Sequence, residues 1–367
     1  MILCSAVFSS ALFAQQIQRA PVGGMGKPAD ATIDAALRAQ VLDTLEKKLP
    51  ELYIFPETAQ RVATALKEHA AKKDYDSITS AQEFAGRITQ DMQDVAHDKH
   101  LRVMYGMPPP PDQLSAEERE RMRREMLALG QSRNFGFESV QRLPGNIGYL
   151  DLRGFLDVRD AGETAIAAMT FLSNCNAVIF DVRRNGGGSP DMVDLLISYL
   201  YPRGDRVHLN DFRQRNSDER EQFWTFPWVP GQTLEGKDVY VLTSNRTFSA
   251  AEEFTYDIQT QKRGAIVGEV TGGGANPGRG VLLAEKFIAF IPFGSAYNPI
   301  TKTNWEGVGV KPDVEVPADD ALKIAQLMAL RKLANQDGPP PWKMEVKSAL
   351  DQLEKEVGSK TPAAPPH

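Results

Sequence analysis

The chain has 367 residues, 42% hydrophobic and 25% charged. That is the composition of a soluble globular protein of two or three domains, and it excludes global disorder, a collagen-like repeat and a disulfide scaffold. Lys plus Arg is 42 against 48 for Asp plus Glu, a net charge of −6 with no long block of either sign, so nucleic acid and anionic membrane surfaces, which need a basic footprint, are not expected as partners.

Met1 to Ala14 is uncharged and mostly apolar. It is too short for a transmembrane helix of about 20 residues but matches the apolar region of a signal peptide, with the small residues Ala11 and Ala14 at a cleavage position. Residues 1–14 are read as a signal peptide, which predicts export to the periplasm or the extracellular space, with no transmembrane segment. Cys4 and Cys175 make neither a zinc ligand set nor a disulfide framework, and no metal or cofactor is expected.

From Thr32 to His97 the pattern is helical: Ile33, Leu37, Val41 and Leu45 recur every fourth residue, then Val62, Leu66 and Ala70. A third helix opens on the capping box Ser80-Ala-Gln-Glu83, with Phe84, Ile88, Met92 and Val95 on its apolar face. These predict a three-helix bundle that Leu101–Tyr105 leaves as a strand, the whole forming a domain over 30–107. A Pro-rich connector and a charged surface helix fill 108–134. Over 135–320 the runs Ile147–Leu152, Ala177–Val182, Val239–Thr243, Ala265–Val270 and Lys286–Pro292 read as strands with helical patterns between several of them, an α/β core. Residues 321–367 add helices and a disordered Pro/Ala tail.

Two strand-to-helix turns carry candidate chemistry. In Val239-Tyr-Val-Leu-Thr-Ser-Asn-Arg-Thr-Phe-Ser249-Ala-Ala-Glu252 a buried strand runs into a helix that begins at Ser249. Ser249 with Glu252 is a capping box. It is also where a nucleophile would stand, with the Ala250 N–H and the positive end of the helix dipole aimed at a developing oxyanion. In the second turn, Asp181-Val-Arg-Arg-Asn-Gly186-Gly187-Gly188, three glycines let backbone N–H groups approach a ligand, or else merely connect to a helix with Ser189 as N-cap and Pro190 at its first position. No lysine follows the glycines as a P-loop requires.

A serine hydroxyl needs a base. His69 lies in a charged helix, His208 in a polar loop and His367 in the tail, whereas His100 sits where the bundle hands over to an apolar strand. The plainer reading of His100 is a helix-terminal histidine favoured by the dipole. His97 and His100 with Asp94 or Asp98 lack a further ligand set for a metal. Glu306, in Asn304-Trp-Glu-Gly-Val-Gly309, is a third candidate or a surface carboxylate in a glycine-bordered turn.

In order, Asp181-Val-Arg-Arg-Asn-Gly-Gly-Gly188, Thr243-Ser-Asn-Arg-Thr-Phe-Ser-Ala-Ala-Glu-Glu-Phe254, Val267-Gly-Glu-Val-Thr-Gly272 and Glu306-Gly-Val-Gly-Val-Lys-Pro-Asp313 resemble the C-terminal-processing, or tail-specific, serine peptidase family, which includes the tricorn core and the interphotoreceptor retinoid-binding protein repeats. With the helical N-terminal region, the resemblance covers about three quarters of the chain. It implies a ClpP/crotonase-like spiral α/β core, Ser249 as nucleophile, and Gly187, Gly188 and Ala250 as oxyanion hole. Where one subgroup carries a dyad lysine this chain has Gly274. The sequence is instead similar to the tricorn and retinoid-binding branch, whose histidine base and orienting glutamate fall by position on His100 and Glu306. Tricorn's serine before that histidine is Lys99 here, and the connector has no room for a PDZ module. The expectation is a serine endopeptidase acting on peptides or unfolded proteins, with homo-oligomerisation left open. The alternative is a non-catalytic protein that binds a peptide or a retinoid-like apolar ligand. A generic α/β hydrolase would need a Gly-x-Ser-x-Gly elbow that is absent.

Overall fold

In a computed structural model of the chain, the structure describes residues 29–217 and 220–358. The signal-peptide segment 1–14, Cys4, His367 and the tail from Thr361 lie outside these. The chain divides into two compact units. The first takes residues up to Met126 with Asp211–Glu221 and Gly274–Tyr297, and the second takes Leu127–Asn210, Gln222–Gly273 and the chain from Asn298 onward.

The first unit opens with the three predicted helices, α1 (Ala35–Leu52), α2 (Pro56–Ala71) and α3 (Ala81–Ala96). Asp34 caps α1 by accepting from the Leu37 N–H, Pro56 starts α2, and Ser80 caps α3 by accepting from the Glu83 N–H. The periodic residues form the core: Val41, Leu45, Val62, Leu66, Phe84, Ile88 and Met92 are all buried. His97, at φ 55°, stops α3 in the left-handed region. The chain then enters β1 (Arg102–Tyr105), the edge of an antiparallel sheet ordered β1-β10-β9 with β9 (Gly278–Ala284) and β10 (Phe287–Pro292). Val281, Leu283, Phe287, Ala289 and Ile291 of that hairpin complete the bundle core.

After the connector, α4 (Ala116–Ser132) leads to a six-stranded sheet ordered β12-β8-β7-β4-β3-β2. Its strands are β2 (Phe137–Leu143), β3 (Ile147–Leu152), β4 (Ala177–Asp181), β7 (Asp238–Thr243), β8 (Ala265–Gly268) and β12 (Val314–Glu315), all parallel except the antiparallel β2–β3 pair. Alternation assigns the two faces. Val178, Phe180, Val239, Val241 and Ile266 pack under α5 (Val158–Leu172), α6 (Pro190–Ser198) and α7 (Ala250–Thr260). Ala177, Ile179, Tyr240, Leu242, Ala265 and Val267 face α8 (Ala321–Ala334) and α9 (Pro340–Val357). A sheet covered on both sides accounts for the continuous apolar runs in the sequence. The fold is α/β with an N-terminal three-helix bundle, as the sequence predicts. A further small sheet, ordered β11-β5-β6, uses β5 (His208–Gln214), β6 (Arg220–Trp224) and β11 (Gly294–Tyr297). Among the described residues no helix is long and apolar enough to cross a membrane.

Candidate active site

Ser249 ends the turn that leaves the C-terminal end of β7 and begins α7, and it is 7% exposed. Glu252 Oε2 accepts its N–H at 2.8 Å, so the capping box read from the sequence is present. Capping does not explain the backbone. Asp34, Ser80, Asp157 and Ser189 cap their helices at φ between −100° and −54° with extended ψ of 127° to 178°. Ser249 stands at φ 57°, ψ −125°. A side chain at such a positive φ stores on the order of 1–3 kcal/mol, and it persists only where the surroundings over-determine it. They do so here: Thr247 Oγ1 donates to Val182 O at 2.9 Å, Ser244 Oγ to Arg183 O at 2.5 Å and Phe248 N–H to Asn185 O at 3.1 Å.

Those three bonds stitch the serine turn to the glycine turn that follows β4. Asn185 is fully buried, and its Nδ2 donates to Leu152 O at 3.0 Å. Asp181 closes the strand beneath. Burial works to raise its carboxyl, but the Arg183 and Tyr149 hydrogen bonds and the Arg183 charge hold it below the usual carboxylate range. Gly187 lies directly against the serine: at φ +104°, a Cβ there would come within 2.8 Å of Phe248 O and Ser249 Cβ and 2.9 Å of Ala250 N. Gly188 forms a parallel bridge with Phe155, and a Cβ on it would meet Phe155 O at 1.9 Å. Glycine is required at both positions.

The structure brings Gly187, Ser249 and Ala250 together, with one correction to the sequence reading. Gly187 donates its own N–H to Asn185 Oδ1 at 2.9 Å, an Asx turn closed on itself, so it is not a donor toward the serine. Among the described residues the N–H groups of Gly188 and Ala250 have no acceptor. Ala250 is the first residue of α7, where helix geometry leaves the N–H unused and the dipole is positive.

Glu306 belongs to the same unit, in the half-buried loop 304–310. Its N–H donates to Asn304 Oδ1 at 2.9 Å, Gly307 N–H to Gly273 O at 3.1 Å and Val310 N–H to Thr271 Oγ1 at 2.7 Å. Thr271 Oγ1 in turn donates to Glu252 Oε1 at 2.5 Å, which also accepts the Gly273 N–H at 2.6 Å. Glu252 is completely buried. The sequence reading treats it only as the far end of a cap, and the Ser-x-x-Glu signature holds no sign of its second and third donors.

His100 belongs to the first unit and is completely buried in the turn between α3 and β1. Its ring lies 6.0 Å from that of Phe290, and its N–H donates to Asp98 Oδ1 at 2.9 Å. Asp98 Oδ2 accepts from Tyr53 Oη and Asn276 Nδ2, both at 3.1 Å, and burial pushes this carboxyl up. The Asp98 clamp has no sequence signature, because its partners lie 45 and 178 positions away. The remaining described histidines have local duties. His69 pairs with Asp74 at 2.6 Å, and His97 is the left-handed cap of α3. His208 is not in a loop but in β5, stacked on Trp224 at 4.3 Å.

A family model described as peptidase family S41 matches residues 146–316, and one for the N-terminal domain of that peptidase in eukaryotic IRBP matches 33–133. Among solved structures, a candidate peptidase from Parabacteroides merdae superposes with TM-score 0.53 at 16% identity, over 89% of this chain and 99% of that one. The photosystem II D1 C-terminal processing protease aligns at TM-score 0.46 and 16% identity, over 78% of this chain and 94% of its own. A candidate S41 protease from Bacteroides fragilis aligns at TM-score 0.44 and 22% identity over 61% of this chain, which spans 59% of that protein.

Proposed function

The chain belongs to peptidase family S41, and from that membership we propose that it is a serine endopeptidase hydrolysing peptides or unfolded proteins through an acyl-enzyme on Ser249. The observation that carries this is the serine's backbone: φ 57°, ψ −125° on a strand-to-helix turn. That is the strained presentation a nucleophile uses and a cap does not need. A protein that only binds a peptide or an apolar ligand has no use for such strain.

In this reading His100 takes the Ser249 hydroxyl proton as Oγ attacks the peptide carbonyl carbon. The Oγ–C bond forms, and the carbonyl electrons become an oxyanion held by the Gly188 and Ala250 N–H groups, while Gly187 supplies the space for the turn. Collapse breaks the C–N bond, His100 returns the proton to the leaving amine, and water repeats the sequence to free the acyl group. Glu306 fixes the imidazole tautomer. The absence of the dyad lysine, with Gly274 in its place, supports the histidine-based branch of the tail-specific proteases. The apolar Met1–Ala14 segment supports export, where a lone Cys175 forms no disulfide.

The test is hydrolysis of a reduced, unfolded protein and of peptides derived from it. Ser249→Ala is expected to lose on the order of 10⁶ in turnover and His100→Ala a comparable factor. Unchanged turnover in His100→Ala would refute the base assignment.

A further inference from the structure

We propose that Glu252 is a positioning residue for the reaction: one buried carboxylate that clamps the Ser249 turn to the loop bearing Glu306. The proposal rests on Ser249 being the nucleophile.

Each carboxylate oxygen has a separate task. Oε2 takes the Ser249 N–H, and Oε1 takes the Thr271 hydroxyl and the Gly273 N–H. Beyond these donors, the Thr271 hydroxyl accepts Val310 N–H, Thr271 N–H donates to Val310 O at 3.2 Å, and Gly273 O accepts Gly307 N–H. Loop 304–310 is therefore tied, through Gly307 and Val310 on the C-terminal side of Glu306, to the two residues that Glu252 holds. The turn and the loop are 57 residues apart in sequence, counted from Ser249 to Glu306, and the Glu252 side chain joins them alongside the Gly272 N–H, which donates to Thr247 O at 2.9 Å. A capping glutamate needs one of these bonds, whereas this one has three and no exposure.

Binding the Ser249 N–H also has a chemical consequence. It withdraws that N–H from the oxyanion and leaves the task to Ala250, one residue on, and to Gly188. It also pins the peptide plane on which the serine's positive φ turns. Only a carboxylate serves all three donors, because a glutamine offers one acceptor oxygen and one NH₂. With its oxygen at the Oε1 site, the NH₂ meets the Ser249 N–H. With its oxygen at the Oε2 site, the NH₂ meets the Gly273 N–H. Either way one of the two segments loses its bond to residue 252.

The experiment compares wild type, Glu252→Gln, Thr271→Val, Thr271→Ser and Glu253→Gln in steady-state peptide hydrolysis and in the rate of fluorophosphonate attachment. Glu253 is the adjacent control, buried to 3% exposure on the same helix but turned to Asn210. Glu252→Gln is expected to lower kcat and the attachment rate by about 10²–10³, the size of a misplaced nucleophile or a lost oxyanion donor, with KM within about threefold. Thr271→Val is expected to lose about tenfold or more in kcat and Thr271→Ser to restore it. Glu253→Gln is expected to keep the wild-type rates whatever it does to the melting temperature. Wild-type rates in both Glu252→Gln and Thr271→Val overturn the proposal while leaving Ser249 as nucleophile. A wild type that never forms an adduct overturns the Ser249 reading and this one with it. If Glu252→Gln does not fold, the Thr271 pair decides.

Discussion

At the scale of single residues, the site combines a serine whose conformation costs stability with a glycine that makes room for it. Neither Ser nor Ala is comfortable at φ 57°, whereas Gly is. Ser249→Gly is therefore expected to be more stable than Ser249→Ala by about 1 kcal/mol in urea denaturation, although both are inactive. The opposite order contradicts the strain. Gly187→Ala places a methyl group 2.8 Å from Ser249 Cβ at φ +104°. It is expected to cost about 1–3 kcal/mol and at least about 10² in kcat, read from the same denaturation curves and from peptide turnover. Ser249, Gly187 and Ala250 were legible because strand, turn and helix follow one another in the chain. Glu252 was half legible, since a cap and a clamp share one signature. Asp98 was named only as a possible metal partner of the nearby histidines, and its clamp was invisible, for its hydrogen-bond partners Tyr53 and Asn276 are joined to it only by folding.

At the scale of elements, α6 follows the glycine turn and α7 follows the serine, and the two helices pack together around buried carboxylates. Asp194 on α6 and Glu253 and Asp257 on α7 are each less than 10% exposed, and none has a Lys or Arg partner among the described residues. Burial pushes Glu253 up to about 7, opposed by Asn210 and assisted by Asp191. Burial also raises Asp194 and Asp257 well above the carboxylate range, reinforced by the other acids of the group and opposed at Asp257 by Asn298. A raised acid is held neutral in the fold, so the folded state keeps a proton that the unfolded chain gives up. The stability from Glu253 is complete below about 4.5 and is lost as pH rises through about 7. Glu253→Gln is expected to flatten the fall in denaturation midpoint between about pH 5 and 8 relative to wild type. An equal slope in both proteins contradicts the assignment. The parallel strands were readable because burial on both faces leaves continuous apolar runs. Strands such as His208-Leu-Asn-Asp-Phe-Arg-Gln214 and Gly278-Arg-Gly-Val-Leu-Leu-Ala284 were not, since polar residues or glycines break any period-2 pattern.

At the scale of the whole molecule, the first unit cannot be cut out as one stretch of chain. Its core needs Val281, Leu283, Phe287, Ala289 and Ile291 from the β9–β10 hairpin, far beyond the helices in sequence. A fragment spanning 29–126 is expected to lack a cooperative urea transition in far-UV circular dichroism, and fusion of 274–297 through a flexible linker is expected to restore one. A cooperative transition in the bare fragment contradicts this. The central claim concerns the whole chain and is that Ser249 is an activated nucleophile. Intact-mass measurement after fluorophosphonate treatment tests it most directly, on wild type, Ser249→Ala and His100→Ala. The account predicts one adduct on wild type, mapped to Ser249 and absent from both variants. A folded wild type that gains no mass, or an adduct that survives Ser249→Ala, would contradict it.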